Sequence, residues 1–365
     1  MAQWVNREHS KGEIDRSGTI LIPWWTDPEA KLDDHLWEAY KVVENWRTSH
    51  GLPLNVVQAV LRSRAQRVEP NVIVAQRLKR MSSIMNKLVR EPNMKLSQMH
   101  DLGGCRAILS DVHAVRTLLD MYRGEPSLIG DETSLKCYDY IINPKKDGYR
   151  GIHVVARYHP RRQSRAPWDG QRIEIQLRTK LQHAFATAVE TVTTFTREPL
   201  KFGAGPAEWR RFFSLMGSVL AIREATPLVS GTPQNEQELV TELGNASREL
   251  RVRQRLRKWA SAIRTLPRRN IADFKWLLLV LDTEKNTIQV TGFADRRQAS
   301  KEIGKIEPAT RKNLDAVLVS VNSIKQLRAA YPNYYADTRE FLNALGIALD
   351  RRKVMPGAEQ PPNPK

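Results

Sequence analysis

Apolar residues recur at helical spacing through Leu36, Tyr40, Val43 and Trp46. That spacing predicts a helix opened by Asp27, Pro28 and Glu29 (an N-cap, a proline at the first helical position and an acid in the first turn) and closed at Gly51. Leu54–Leu61 predicts a second helix and Val72–Val89 a third. After Met99 the period shortens to short β-prone runs at Cys105–Leu109, Tyr140–Ile142, Ile152–Tyr158 and Ile173–Leu177. Helical runs at Val112–Tyr122 and Lys180–Phe195 separate or follow them. The alternation predicts an α/β chain, a mixed sheet with helices packed against it.

Trp209–Glu224 predicts a further helix, and Thr226–Asn235, with Pro227, Gly231 and Pro233, a connector. Glu236–Leu266 reads as one long basic helix. Beyond Pro267 the texture changes. Lys275–Asp282 and Thr287–Gly292 form a hairpin turning through Glu284, Lys285 and Asn286, followed by a helix at Arg296–Ile303, a strand at Ala316–Val321 and a helix at Tyr335–Leu349. The expected division is residues 1–266, a small α/β domain at 267–350, and a flexible, proline-rich tail at 351–365.

Charge sharpens this picture. Fifty-eight basic residues against forty acidic ones leave a net +18, which attracts polyanions: nucleotides, RNA or an acidic protein. Two cysteines, Cys105 and Cys137, exclude a disulfide framework and a cysteine-rich zinc site and fit a reducing cytoplasm. Residues 1–10 lack the apolar core of a signal peptide, and the longest apolar run, Trp276–Leu281, is too short to span a membrane. The expectation is a soluble cytoplasmic protein.

The segment Arg172–Arg178 alternates strictly, turning Ile173, Ile175 and Leu177 one way and Glu174, Gln176 and Arg178 the other. Asp101 precedes the strand at Cys105 across the close-approach pair Gly103–Gly104. Carboxylates on neighbouring strands suit Mg²⁺-dependent phosphoryl chemistry. By alternation alone the segment is equally an ordinary half-exposed strand.

Four motifs occur in order. Arg77, Lys79 and Ser83 form an Arg-x-Lys-x-x-x-Ser signature; then come Asp101-Leu-Gly-Gly-Cys-Arg106, Asp139-Tyr-Ile-Ile-Asn-Pro-Lys-Lys-Asp-Gly-Tyr-Arg-Gly-Ile-His153, and Glu174-Ile-Gln-Leu-Arg-Thr179 with His183. Together, over roughly residues 50–225, they resemble the synthetase domain of the RelA/SpoT alarmone enzymes. The resemblance implies a nucleotidyltransferase-like sheet and an ATP-dependent pyrophosphokinase. In it, Arg77, Lys79, Ser83 and Arg106 hold ATP, and Asp101 and Glu174 hold Mg²⁺, with Glu174 also the base for an attacking 3′-hydroxyl. Tyr149 stacks on the acceptor base, while Lys145, His153, Gln176 and Arg178 orient acceptor and phosphates. Two positions depart from the pattern: Tyr138 stands where a lysine is common and Gly151 where a serine is.

Two acceptors fit. One is GDP or GTP, giving (p)ppGpp; the other is the 3′-CCA end of tRNA, which would stop translation. The size, the helix from His183 and the small cysteine-free C-terminal domain resemble the fused toxin–antitoxin phage-defence relatives of the CapRel type. There, a pseudo-zinc-finger domain carries a Tyr-x-x-Tyr segment that blocks the donor site until a phage protein binds. Tyr331-Pro332-Asn333-Tyr334 has that form. A third reading, a catalytically inactive nucleotide-binding module, sits badly with the intact pair Asp101 and Glu174.

Overall fold

The computed structural model describes residues 4–124 apart from 28, and residues 136–262 apart from 161, 197–199 and 201–204. Beyond 262 it describes 264–267, 274, 276–282, 284–285, 287–294, 298–299, 302, 314–320 and 338–354. The chain divides into two compact units: Met1–Asp139 with Gly151–Lys180 and Ala262–Tyr335, and Tyr140–Arg150 with Leu181–Ser261 and Ala336–Lys365.

The first unit is built on a sheet whose strands are β1 (Ile73–Leu78), β2 (Gly103–Leu109), β3 (Lys136–Asp139), β4 (Ile152–Arg157), β5 (Arg172–Thr179), β6 (Arg264–Pro267), β7 (Trp276–Asp282), β8 (Thr287–Phe293) and β9 (Leu314–Ser320). Their order is β3-β4-β5-β2-β1-β9-β7-β8-β6. The first five strands form a mixed core: β2 and β5 run parallel, and the pairs β1–β2, β4–β5 and β3–β4 run antiparallel. Strand β9 then pairs with β1 at Gln76↔Ser320 and Arg77↔Val319, so the later strands continue the same sheet.

The period-2 pattern separates the two faces of that core. One face carries Val74, Cys105, Ala107, Ile173, Ile175, Leu177, Ile152 and Val154, all buried. Helices α3 (Gly51–Val68) and α5 (Val112–Gly124) cover it, and the Arg64 guanidinium caps the Tyr122 ring at 4.5 Å. Gly103 is required there, because a Cβ would come within 2.7 Å of the Ile173 side chain. Gly104 has no such neighbour, and strand β2 already begins at Gly103.

Helices α1 (Lys11–Thr26), α2 (Asp34–Ser49) and α4 (Met81–Arg90) share a second core with Ile14, Leu21, Val43, Trp46, Ile84 and Met85. Met99 and Leu102 belong to it, clamping the backbone on both sides of Asp101. Helix α1 starts in a capping box, with Glu13 N donating to Ser10 Oγ at 3.3 Å and Ser10 N donating to Glu13 Oε2 at 2.8 Å.

The second unit is helical: α6 (Lys180–Thr196), α7 (Ala207–Arg223), α8 (Glu236–Glu249), α9 (Val252–Ala262) and α10 (Arg339–Val354). Phe185, Phe212, Phe213, Leu243, Phe341 and Leu345 form its core, and each buried ring contributes about 1.5–3 kcal/mol. The residues after Pro267 are thus divided, β7–β9 belonging to the first unit and α10 to the second.

Several elements differ from the sequence pattern. Asp27 caps the end of α1, and the start of α2 is capped by Asp33, whose carboxylate accepts from Leu36 N at 2.8 Å. Gly51 opens α3 and does not close α2. Val72–Val89 is strand β1 followed by α4, because residues 73–78 find a ladder partner in β2. Tyr140–Ile142 is a turn, and the strand lies just before it at β3. Glu236–Leu266 breaks at Arg251, where φ is +50°, and Arg264–Pro267 pairs with β8. Most of the expected helix Arg296–Ile303 lies outside the described residues. Among the described residues, no helix is long and apolar enough to cross a membrane.

Candidate active site

The β1–β2 ladder runs one step past Leu78↔Gly103, with Lys79 N donating to Leu102 O at 2.7 Å. That step brings the Lys79 ammonium to Asp101, where Nζ donates to Oδ2 at 2.6 Å. Helix α4 supplies a second cation, as Lys87 Nζ donates to Asp101 Oδ1 at 3.2 Å. Burial pushes the Asp101 carboxyl up, but the two ammonium groups outweigh it and hold the group well below the usual carboxylate range. Burial also lowers the Lys79 pKa, against the pull of Asp101. Ser83 stands one turn before Lys87 on the same helix, half-buried.

The opposite face of the sheet core is polar. The register aligns Arg77, Gly104, Glu174, Val155 and Lys136 in one cross-strand row, and Arg106, Gln176, His153 and Tyr138 in the next. Glu174 sits at the centre, buried and held from both sides: His153 Nδ1 lies 3.0 Å from Oε1, and Gln176 Nε2 donates to Oε2. Arg178 Nη2 in turn donates to Gln176 Oε1 at 2.8 Å, so three alternating residues of β5 form one chain. Burial raises the Glu174 pKa and the charge of Asp101 raises it further, but the bonded His153 and Gln176 prevail and lower it to about 2. Glu174 is therefore ionised at neutral pH.

Tyr149 and Lys145 lie in the loop Tyr140–Arg150 of the second unit. The Lys145 ammonium rests 4.5 Å from the Tyr140 ring centroid and 5.3 Å from that of Tyr149, and the two rings meet edge to face at 6.0 Å. The turn closes through Gly148 N to Lys145 O at 2.9 Å and Tyr149 N to Asp147 Oδ1 at 3.0 Å. Gly148 has φ +85°, and a Cβ there would come within 2.5 Å of Phe213 O. Buried Arg150 locks the loop by donating to Gly217 O at 3.0 Å and to Pro227 O; burial lowers its pKa to about 10.

The first unit thus brings together Arg77, Lys79, Asp101, Arg106, His153, Glu174, Gln176 and Arg178, and the second brings together Lys145 and Tyr149. Tyr331 and Tyr334 lie outside the described residues. Sequence reasoning missed Lys87, although its position four residues after Ser83 on a helix was the available signal. It also missed His100, whose ring stacks on Tyr138 at 6.4 Å and 16°. Among the described residues no group of three or more His, Cys, Asp or Glu is gathered for a metal ion. The available donor set is the pair Asp101 and Glu174.

Residues 76–197 match the family model described as the region found in RelA / SpoT proteins. GTP pyrophosphokinase YwaC of Bacillus subtilis is 32% identical over 112 residues, 28% of this chain and 49% of that protein. The probable GTP diphosphokinase RSH2, chloroplastic, of Oryza sativa is 29% identical over 111 residues, 29% of this chain and 13% of that protein. The chain therefore spans about half the length of the first relative and much less of the second. A crystal structure of small alarmone synthetase 1 from Bacillus subtilis, bound to its product pppGpp, aligns with 53% of this chain and 94% of that one, at 19% identity and a TM-score of 0.42.

Proposed function

We propose that the protein is an ATP-dependent pyrophosphokinase whose acceptor is the 3′-CCA end of tRNA. The observation that carries the chemistry is the polar face on which Glu174 is fixed by His153 and Gln176 while Asp101 is flanked by Lys79 and Lys87. The 3′-hydroxyl oxygen attacks the β-phosphorus of ATP, the bond to the α,β-bridging oxygen breaks, AMP leaves and the hydroxyl proton passes to Glu174. Such transfers depend on positioning and charge neutralisation more than on a strong base. Lys79, Arg77, Ser83 and Arg106 hold the donor. Tyr149 stacks on the acceptor base beside Lys145, with Arg178 acting through Gln176.

Mg²⁺ fits this site, because the ion is commonly bound by one or two carboxylates together with substrate phosphates. Asp101 and Glu174 would hold it, and when bound it would neutralise charge developing on the transferred phosphates. The ammonium groups now on Asp101 would then turn to the donor.

The basic stretches at Arg161–Arg162, Arg210–Arg211 and Arg251–Lys258 offer more phosphate contacts than a mononucleotide can use, which favours a polynucleotide acceptor. The second reading, (p)ppGpp synthesis from GDP or GTP, draws on the name of the relative in Bacillus subtilis. Incubation with γ-labelled ATP and either deacylated tRNA or GDP and GTP separates them. Label on tRNA, with binding that weakens steeply with salt, is expected; label on GDP or GTP alone rejects the tRNA reading.

We further propose that the segment after Pro267 restrains the enzyme, as in an autoinhibited fused toxin–antitoxin released by a phage protein. The pairing of β9 with β1 at Arg77 supports this, since a C-terminal strand already borders a donor-binding residue. Tyr331 and Tyr334 follow β9 in sequence and are the residues proposed to block the donor pocket.

A further inference from the structure

The short edge strand β3 is pinned from its apolar face. Asp139 pairs across the ladder with Ile152 on that face, where the Arg116 guanidinium of α5 holds its carboxylate through both nitrogens. Nη1 donates to Oδ2, and Nη2 donates to Oδ1 at 3.3 Å. A two-pronged pair of this kind fixes orientation as well as position. Alternation then turns the neighbouring Tyr138 onto the polar face, in the row that continues through His153, Gln176 and Arg106.

Two groups gather at the Tyr138 ring. The His100 ring lies with its centroid 6.4 Å away and its plane within 16° of parallel, and Lys136 Nζ, two residues back on the same face, is 5.2 Å from the Tyr138 centroid. Both rings are half-buried. Across the ladder from Tyr138, His153 meets Glu174 at 3.0 Å, and two strand spacings, roughly 10 Å, separate β3 from β5. Arg77 and Arg106, which the donor reading uses, lie beyond β5 in the other direction, on β1 and β2. An in-line transfer places acceptor and donor on opposite sides of the moving group, so the aromatic pair stands on the acceptor side of Glu174. It also occupies a position where the motif commonly has a lysine. A lysine there could serve phosphates alone, whereas an aromatic face serves a base of any sequence.

We infer that Tyr138 and His100 form a stacking platform for the base of the penultimate nucleotide of the acceptor strand, with Lys136 beside its phosphodiester. The terminal base is left to Tyr149. The inference rests on the polynucleotide acceptor proposed above and names what would make the site prefer a strand end: a second base, which GDP and GTP lack.

The test is direct binding of a CCA-ended RNA hairpin, intact or with an abasic residue at the penultimate position, together with KM values for label transfer. The abasic hairpin should bind the wild type about tenfold more weakly, the scale of one base stacked on an aromatic ring. Tyr138→Ala should lose a similar factor for the intact hairpin and be indifferent to the abasic change, while Tyr138→Phe should behave as the wild type. Tyr138→Lys separates stacking from charge. Its added cation would tighten RNA binding if charge alone governed it, and the lost ring should instead weaken binding at least fivefold. KM for ATP should not move in any variant. Equal affinity of the wild type for the two hairpins overturns the inference, and this comparison needs no variant to fold. So does a Tyr138→Lys variant that binds the intact hairpin at least as tightly as the wild type, or a rise in KM for ATP that matches the loss of RNA affinity. If the wild type labels only GDP or GTP, the acceptor reading fails separately. The platform is then decided by the abasic comparison, where weaker binding sustains it and equal binding ends it.

Discussion

Replacing Glu174 by Gln isolates the charge of one carboxylate from its shape. In the native site Oε2 accepts from Gln176 Nε2 and Oε1 faces His153 Nδ1 at 3.0 Å. The amide keeps both neighbours: its oxygen still accepts from Gln176, and its nitrogen donates to His153 once the imidazole carries its hydrogen on the other ring nitrogen. Removing the charge also relieves repulsion with Asp101. Against that, folding lowers the Glu174 pKa to about 2, so the charged form is the one the fold favours, and losing the charge should cost up to about 3 kcal/mol of stability. Transfer loses both the proton acceptor and an oxygen ligand, and a lost general base alone is worth ~10²-fold or more, about 2.7 kcal/mol of barrier. The assay is the initial rate of label transfer from γ-labelled ATP at saturating substrates, with melting temperatures run in parallel. A Gln variant that is folded at the assay temperature and turns over within fivefold of the wild type would refute the role given to Glu174.

Lys87→Met should bring the Asp101 carboxyl back toward its ordinary range. Both carboxyls are depressed by folding, so their stabilising contribution is complete above about pH 4.5 and lost as pH falls toward 2; the variant should lose less stability across that window. Urea midpoints between pH 2.5 and 6 that fall equally in both proteins would contradict this. Gly148→Ala places a side chain at φ +85° against Phe213 O and should lower stability by more than about 1 kcal/mol; an unchanged melting curve rejects the tight turn. Changing Tyr331 and Tyr334 together to Ala should raise resting transfer, and a folded double variant with the wild-type rate would leave the segment after Pro267 without its proposed restraining role.

Strands β2, β4 and β5 and helices α5, α6 and α7 were legible because each keeps one period from end to end. The boundary between β1 and α4 was not, because Lys79 and Arg80 carry neither glycine nor proline to mark where a ladder stops and a helix begins. The start of α1 was written in the sequence as Ser10 and Glu13, a capping-box spacing that the pattern of apolar residues does not display. Nothing local announces the break at Arg251, since arginine is a good helix former and only packing makes it adopt a positive φ. Asp101 and Glu174 could be named from their motifs. The contact of His153 with Glu174 could not, because it depends on the register of β4 against β5.

The insertion of β9 between β1 and β7 has a consequence for synthesis. Its partner residues on β1 leave the ribosome about 240 residues earlier, on the order of 12–50 s at ordinary elongation rates. Through that interval the nascent sheet ends in an open β1 edge, a template on which other chains can add. The polypeptide must be shielded there until its own last strands arrive. Chains arrested in that window expose the β1 edge to aggregation, while in finished ones β9 pairs with it at Gln76 and Arg77.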